Sequence, residues 1–229
     1  MLSVDNVTVA YGPAVVLQDI SLRVGPGEIV FIAGRNGAGK TTLLKTVSGF
    51  LKPREGTIAF QGRDVTGQRP ERIARSGLRY VFQDKRVFSQ LTVRENIELA
   101  AFGAGEKLPD AIARVVSLYP KIQQFLDVPA GGLSGGQRQI LLIGRALVGN
   151  PKLLLIDEPT EGLAAGTIND ILNVLNEMRR WVGMLIVEQN LSVVGMLANR
   201  LYIMQEGRIV REVTDPDEIR AKSALEKYL

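Results

Sequence analysis

Between residues 2 and 24 apolar and polar side chains alternate, through LSVDNVTVAY and then VLQDISLRV. A period of two puts every second side chain on one side of the backbone, so both stretches predict half-buried strands. Gly25-Pro26-Gly27 is a turn signal. After it EIVFIAG reads as a further short strand. Helical spacing follows in TTLLKTVSGF, at Leu43, Leu44 and Val47, with Gly49 near its end. GTIAFQGRDV reads as a hairpin pair and RYVFQD as a short strand. From about Val87 to Val148 the pattern turns helical and stays so, through VRENIELAAF, PDAIARVVSLY and QILLIGRALV. Strand and helix then alternate again in LLLI, TINDILNVLNEMRR, MLIV, LSVVGMLANR, LYIMQ and RIVREV, and a terminal helix is expected from Pro216 onward.

Alternating strands and helices predict an α/β fold with a mainly parallel core sheet and helices on its faces. An antiparallel β subdomain comes first and a helical block is inserted in the middle. With 229 residues the chain fits one large domain better than two small ones. Its expected division is a core from 1–83 and 149–229, interrupted by a helical subdomain at 84–148.

Composition narrows the chemistry. There is no cysteine, which excludes disulfides and thiolate metal sites, and no histidine, which removes the usual general base and leaves proton transfer to carboxylates. The net charge of +4 is spread over single or paired cations without a stripe or interleaved aromatics, so a solvated surface explains it better than nucleic-acid binding. The N-terminus lacks the profile of a signal peptide. No apolar run approaches the roughly 18 residues that cross a bilayer. If the protein serves a membrane, another chain is expected to supply the spanning helices.

Three segments carry candidate chemistry. GRNGAGKT at 34–41 fits the phosphate-loop pattern between an expected strand and an expected helix. Gly37 and Gly39 let the backbone curl so that successive N–H groups face an anion at a helix N-terminus. Lys40 brings a mobile charge to the β and γ phosphates, and the Thr41 hydroxyl can ligate Mg²⁺. LLLIDEP at 153–159 is an aliphatic strand ending in two acids, of which Asp157 would hold Mg²⁺ and Glu158 would polarise an attacking water. Gln83 and Gln189 end two further strands, and either amide could orient water or contact the metal or the γ-phosphate. The third segment, GGLSGGQRQILLIGRAL at 131–147, opens a helix that Ser134 would cap, with glycines exposing N–H groups at its positive end.

GRNGAGKTT, LSGGQ and LLLIDEP, in this order and separation, closely resemble the nucleotide-binding subunit of ATP-binding cassette (ABC) transporters, over essentially the whole chain. The resemblance implies a P-loop NTPase fold and an Mg²⁺-dependent ATPase whose nucleotide is held by Gly34, Arg35, Asn36, Gly37, Ala38, Gly39, Lys40, Thr41 and Thr42. It implies that two subunits, identical or related, pair head to tail, so that Ser134, Gly135, Gly136 and Gln137 close over the partner's ATP. Tyr11 resembles the aromatic that stacks on adenine, against the alternative of a tyrosine packed in the core. Gln83 matches a residue that senses the γ-phosphate and links to membrane subunits. Lys40, Glu158 and Gln189 form the expected catalytic set, and Thr41, Gln83 and Asp157 the expected metal set.

Two positions depart from the general family. Gln189 stands where a histidine is usual, and Ala164 where an aspartate is usual. Both resemble the ATPases of branched-chain amino-acid and urea-type importers. The expected function is therefore an ATPase that energises uptake of a small polar solute, a branched-chain amino acid or a urea-like compound, at the cytoplasmic face of the plasma membrane, partnered by transmembrane permease subunits and indirectly by a solute-binding protein, with no nucleic acid. Another transporter branch, including export, and a weakly hydrolysing regulatory module remain alternatives.

Overall fold

The computed structural model describes residues 1–84, 86–226 and 228. Two sheets are stacked with helices around them. The first is antiparallel, built from β1 (Leu2–Tyr11), β2 (Ala14–Val24), β4 (Glu55–Phe60) and β5 (Arg63–Asp64) in the order β2-β1-β4-β5. The second has six strands in the order β10-β9-β3-β8-β7-β6. Its members are β3 (Ile29–Ala33), β6 (Leu78–Val81), β7 (Leu153–Asp157), β8 (Gly183–Glu188), β9 (Arg200–Gln205) and β10 (Arg208–Val213). All neighbours pair in parallel except the β9–β10 hairpin at one edge.

The apolar runs lie in the middle of the six-stranded sheet because they have two faces to bury. In β3, Ile29, Phe31 and Ala33 join the core under the helices, while Val30 and Ile32 join the core between the sheets. β7 divides likewise, with Leu154 and Ile156 on one side and Leu153 and Leu155 on the other. Helices α1 (Lys40–Val47), α6 (Ala165–Met178) and α7 (Leu191–Leu197) cover these faces.

A third apolar cluster draws its buried members from residues 93–148 alone. It is formed mainly by α3 (Val93–Ala104), α4 (Leu108–Leu118) and α5 (Gly135–Leu147). Helix α5 serves two cores at once: Leu141 points into this cluster, and Ile140, Ile143 and Leu147 point toward the sheet. An amphipathic pattern spread over two faces is what a helix between two cores requires.

The structure refines several expected elements. Helix begins at Val93, later than Val87, because the buried Asn96 side chain bonds the backbone of Phe88, Leu91 and Thr92 and holds the preceding loop open. Helix α7 stops at Leu197, earlier than Arg200. Asn199 exchanges hydrogen bonds with Ile29 at the start of β3 and turns the chain into β9. A short helix α2 (Pro70–Arg75) is present where none was expected. The chain end forms two short helices, α8 (Pro216–Arg220) and α9 (Lys222–Glu226), in place of one. Residues 227 and 229 of the expected terminal helix, and Lys85 within the expected helical subdomain, lie outside the described residues.

Candidate nucleotide site

Strand order sets the site. Along one edge of the six-stranded sheet, the carboxyl ends of β3, β8, β7 and β6 follow one another. They release in turn the loop of Lys40, the loop of Gln189, the pair Asp157-Glu158, and the loop of Gln83. Ligands of open α/β sheets bind outside these ends.

The Lys40 loop turns at Gly37 and Gly39, with φ of 83° and 103°. A Cβ at Gly39 would lie 2.7 Å from Leu17 Cδ2, which would have to shift, and the φ of 103° is one that side-chain-bearing residues rarely adopt. Gly39 is also the N-cap of α1; it has no side chain to cap with, and no acid occupies the first turn. The leading N–H groups of this helix are thus open to an anion. Lys40, only 5% exposed, folds back over them: Nζ donates to the carbonyls of Gly34 (2.7 Å) and Arg35 (3.1 Å) and lies 3.6 Å from Glu158 Oε1.

The Thr41 hydroxyl donates to Asp157 Oδ1 at 3.2 Å, and the Tyr80 hydroxyl donates to Oδ2 at 2.9 Å. Burial, and then the charge of Glu158, push the Asp157 carboxyl up, while the two hydroxyls and Lys40 pull it back. Burial and the neighbouring carboxylate raise the Tyr80 phenol, which stays a donor. Among the described residues no group of three or more acids, histidines or cysteines is placed to hold a metal. Thr41 and Asp157 fit Mg²⁺ only in the sense usual for that ion, which takes one or two protein oxygens and completes its shell with phosphates and water.

Glu158 lies between two amides. Gln83 Nε2 donates to its Oε2 at 2.9 Å and to Glu161 Oε2 at 2.9 Å. Gln189 Nε2 donates to its Oε1 at 2.8 Å and to Asn36 Oδ1 at 2.5 Å. Glu158 itself has φ of 46°, a left-handed conformation that costs a non-glycine residue about 1–3 kcal/mol. The structure therefore brings Asn36, Lys40, Thr41, Gln83, Asp157, Glu158 and Gln189 together. Gln83 here turns its amide nitrogen to two carboxylates.

Gly34, Arg35, Gly37, Ala38, Gly39 and Thr42 belong to the Lys40 loop and first turn, whereas Tyr11 and residues 134–137 make no hydrogen bond to this cluster among the described residues. Tyr11 is 49% exposed at the tip of the β1–β2 hairpin, so it is no core residue. Ser134 caps α5 in a reciprocal box: its Oγ accepts from Gln137 N (3.3 Å), and Gln137 Oε1 accepts from Ser134 N (2.8 Å). Gly135 is exposed, whereas Gly136 is buried where a Cβ would come within 1.8 Å of Thr167 Cγ2 on α6. Part of the glycine requirement there is packing within the chain. Among the described residues, no hydrogen bond links 134–137 to 34–42 or to Asp157 and Glu158. Ala164 is the N-cap of α6 and provides no side-chain acceptor. Sequence reasoning missed Tyr80 and Glu161; a tyrosine within RYVFQD and an acid three residues past Glu158 were the only signals.

Comparison with known proteins agrees with this geometry. The family model described as ABC transporter matches residues 17–161. A high-affinity branched-chain amino acid transport ATP-binding protein of Pseudomonas aeruginosa is 38% identical over all of this chain and 99% of its own length. The crystal structure of the ADP conformation of an ATP-binding cassette of an ABC transporter superposes with a TM-score of 0.87, at 29% identity over 100% of this chain and 97% of that one. A dimeric, post-hydrolysis cassette bound to ADP and Pi gives 0.81 at 27% identity, over 93% and 98%. The chain belongs to the ABC transporter family, as one of its ATP-hydrolysing cassettes.

Proposed function

We propose that this cassette powers uptake of a small polar solute, a branched-chain amino acid or a urea-like compound, from the cytoplasmic face of a membrane. The observation that carries the reading is the convergence of Lys40, Asp157, Glu158, Gln83 and Gln189 on one sheet edge, in a chain similar from end to end to a branched-chain amino acid transport protein. No helix among the described residues is long and apolar enough to cross a membrane, in keeping with permease subunits as separate chains.

In this reading residues 34–42 cradle the phosphates of ATP and Tyr11 stacks on adenine. Thr41 and Asp157, joined by the Gln83 amide oxygen, would hold Mg²⁺, which would supply charge neutralisation at the phosphate oxygens. Glu158 takes the proton of the attacking water, and Gln189 orients it with a neutral amide in place of an imidazolium. Ser134, Gly135, Gly136 and Gln137 act on the ATP of a second ATPase subunit, the same chain or a related one. Residues 84–148 form the inserted signature unit within a single domain, a division supported by their own apolar cluster. A groove of about 640 Å³ lined by Phe50, Tyr80, Phe82 and Ala146 adjoins Gln83 and suits a permease segment. A solute-binding protein acts indirectly, through the permease.

Glu158→Gln tests the assignment, because it preserves shape and removes the base. ATP binding should persist while Mg-ATP turnover falls by about two to three orders of magnitude, the scale of losing one group that acts in the transition state. Absence of turnover in the unaltered chain with its membrane partners, unchanged by Glu158→Gln, would favour a regulatory module.

A further inference from the structure

Glu188 ends β8 and is only 3% exposed, yet it forms no ion pair among the described residues. Its carboxylate is instead filled with donors from two loops. Oε1 accepts the Thr160 backbone N–H at 3.1 Å and the Thr160 hydroxyl at 2.5 Å. Oε2 accepts the backbone N–H groups of Gln189 at 3.0 Å and Asn190 at 3.2 Å. Four bonds use the full acceptor capacity of a carboxylate.

The two loops it grips are those that meet at the reacting end of the site. Thr160 lies two residues past Glu158, and Gln189 places its amide on Glu158 Oε1. Glu158 holds its left-handed backbone with an N–H bond to Val187 O at 3.0 Å, one residue before Glu188. A strained residue persists only where its surroundings over-determine it. Glu188 supplies that surround from the neighbouring strand, fixing the exit of β7 against the exit of β8.

We propose that Glu188 is a positioning residue for ATP hydrolysis: by bonding Thr160 and the 189–190 backbone it sets where the Glu158 carboxylate and the Gln189 amide meet. The inference rests on the reading of Glu158 as the group that polarises water. A glutamine at 188 has the same size but turns an NH₂ against the N–H donors of one loop or the other, breaking half of the clamp. Thr160→Val removes the hydroxyl donor to Oε1 and keeps the backbone N–H donor of residue 160.

The test is steady-state Mg-ATP hydrolysis by the full chain, with active chains counted by stoichiometric nucleotide binding. Glu188→Gln should lower kcat about 10–100-fold with KM for ATP within about twofold, as expected for displacing a group that acts in the transition state. Thr160→Val should lower kcat in the same sense, and Thr160→Ser should recover most of that loss. In a Glu158→Gln background, Glu188→Gln should change the residual rate no further, since it acts through the missing carboxylate. Wild-type kcat per active chain in Glu188→Gln, or a loss accounted for by fewer nucleotide-binding chains, would overturn the proposal while leaving Glu158 in place. If Glu188→Gln yields no folded protein, Thr160→Val decides: an unchanged kcat overturns the proposal and a reduced one, recovered by serine, supports it. Full turnover in Glu158→Gln would instead remove the reading beneath it.

Discussion

Glu158 is held by Lys40 from the phosphate loop, by Gln83 and Gln189 from either side, and by Val187 through its own backbone. In the proposed reading, nucleotide entry would exchange the two carbonyls and the carboxylate around the Lys40 ammonium for phosphate without leaving the charge unpaired. This exchange needs the loop in its present shape. Gly39→Ala should therefore destabilise the chain by about 1–3 kcal/mol, from the left-handed strain together with the overlap on Leu17, and should weaken ATP binding. Denaturant midpoints and nucleotide titration read the two effects separately; unchanged values of both would mean the loop tolerates a side chain there. At this scale Lys40, Thr41, Asp157 and Glu158 were legible because their types and spacing fit the phosphate-loop pattern and an aliphatic strand ending in two acids. Tyr80, Thr160 and Glu188 were not, because each acts on a residue from another strand, and a buried glutamate after an apolar run looks the same in sequence as an exposed one.

Helix termini decide how the elements hold together. Helices α3 and α5 both begin with a reciprocal box, Thr92 with Glu95 and Ser134 with Gln137. The two boxes separate structure from function. Thr92→Ala should cost about 1 kcal/mol of stability with no change in ATP affinity, since Thr92 caps α3, whose Val93 and Ile97 lie in the helical cluster, and makes no hydrogen bond to the site among the described residues. A shift in the thermal midpoint with constant nucleotide affinity is the expected result; altered affinity would tie this cap to the nucleotide site. The α5 cap was legible from LSGGQ; its packing on two faces was not, since Ile140, Ile143 and Leu147 mark only the face toward the sheet and Leu141 supplies the other. Helix α2 escaped notice because Arg69, Arg72 and Arg75 dominate a short stretch in which Ile73 alone is buried. Gly136 hides a different lesson: the sequence suggests exposed backbone, while its contact with Thr167 adds a packing constraint.

For the whole molecule, the order β3-β8-β7-β6 explains why a chain without histidine surrounds its acid with amides. The strand bearing Glu158 lies between those bearing Gln189 and Gln83, so each amide reaches one carboxylate oxygen. The same chain places its Ser134 cap on a separate helix with no bond to this cluster among the described residues. In the proposed reading a twofold pair resolves this, since a surface of one copy would then meet a different surface of the other, twice. Recovery of hydrolysis on mixing two inactive variants measures it directly. Lys40→Ala and Ser134→Arg chains, each inactive alone, should regain roughly a quarter of the unaltered activity when mixed in equal amounts, because half the pairs are mixed and each keeps one intact composite site. A mixture as inactive as its parts, with mixed pairs demonstrably formed, would contradict a nucleotide site shared between two chains.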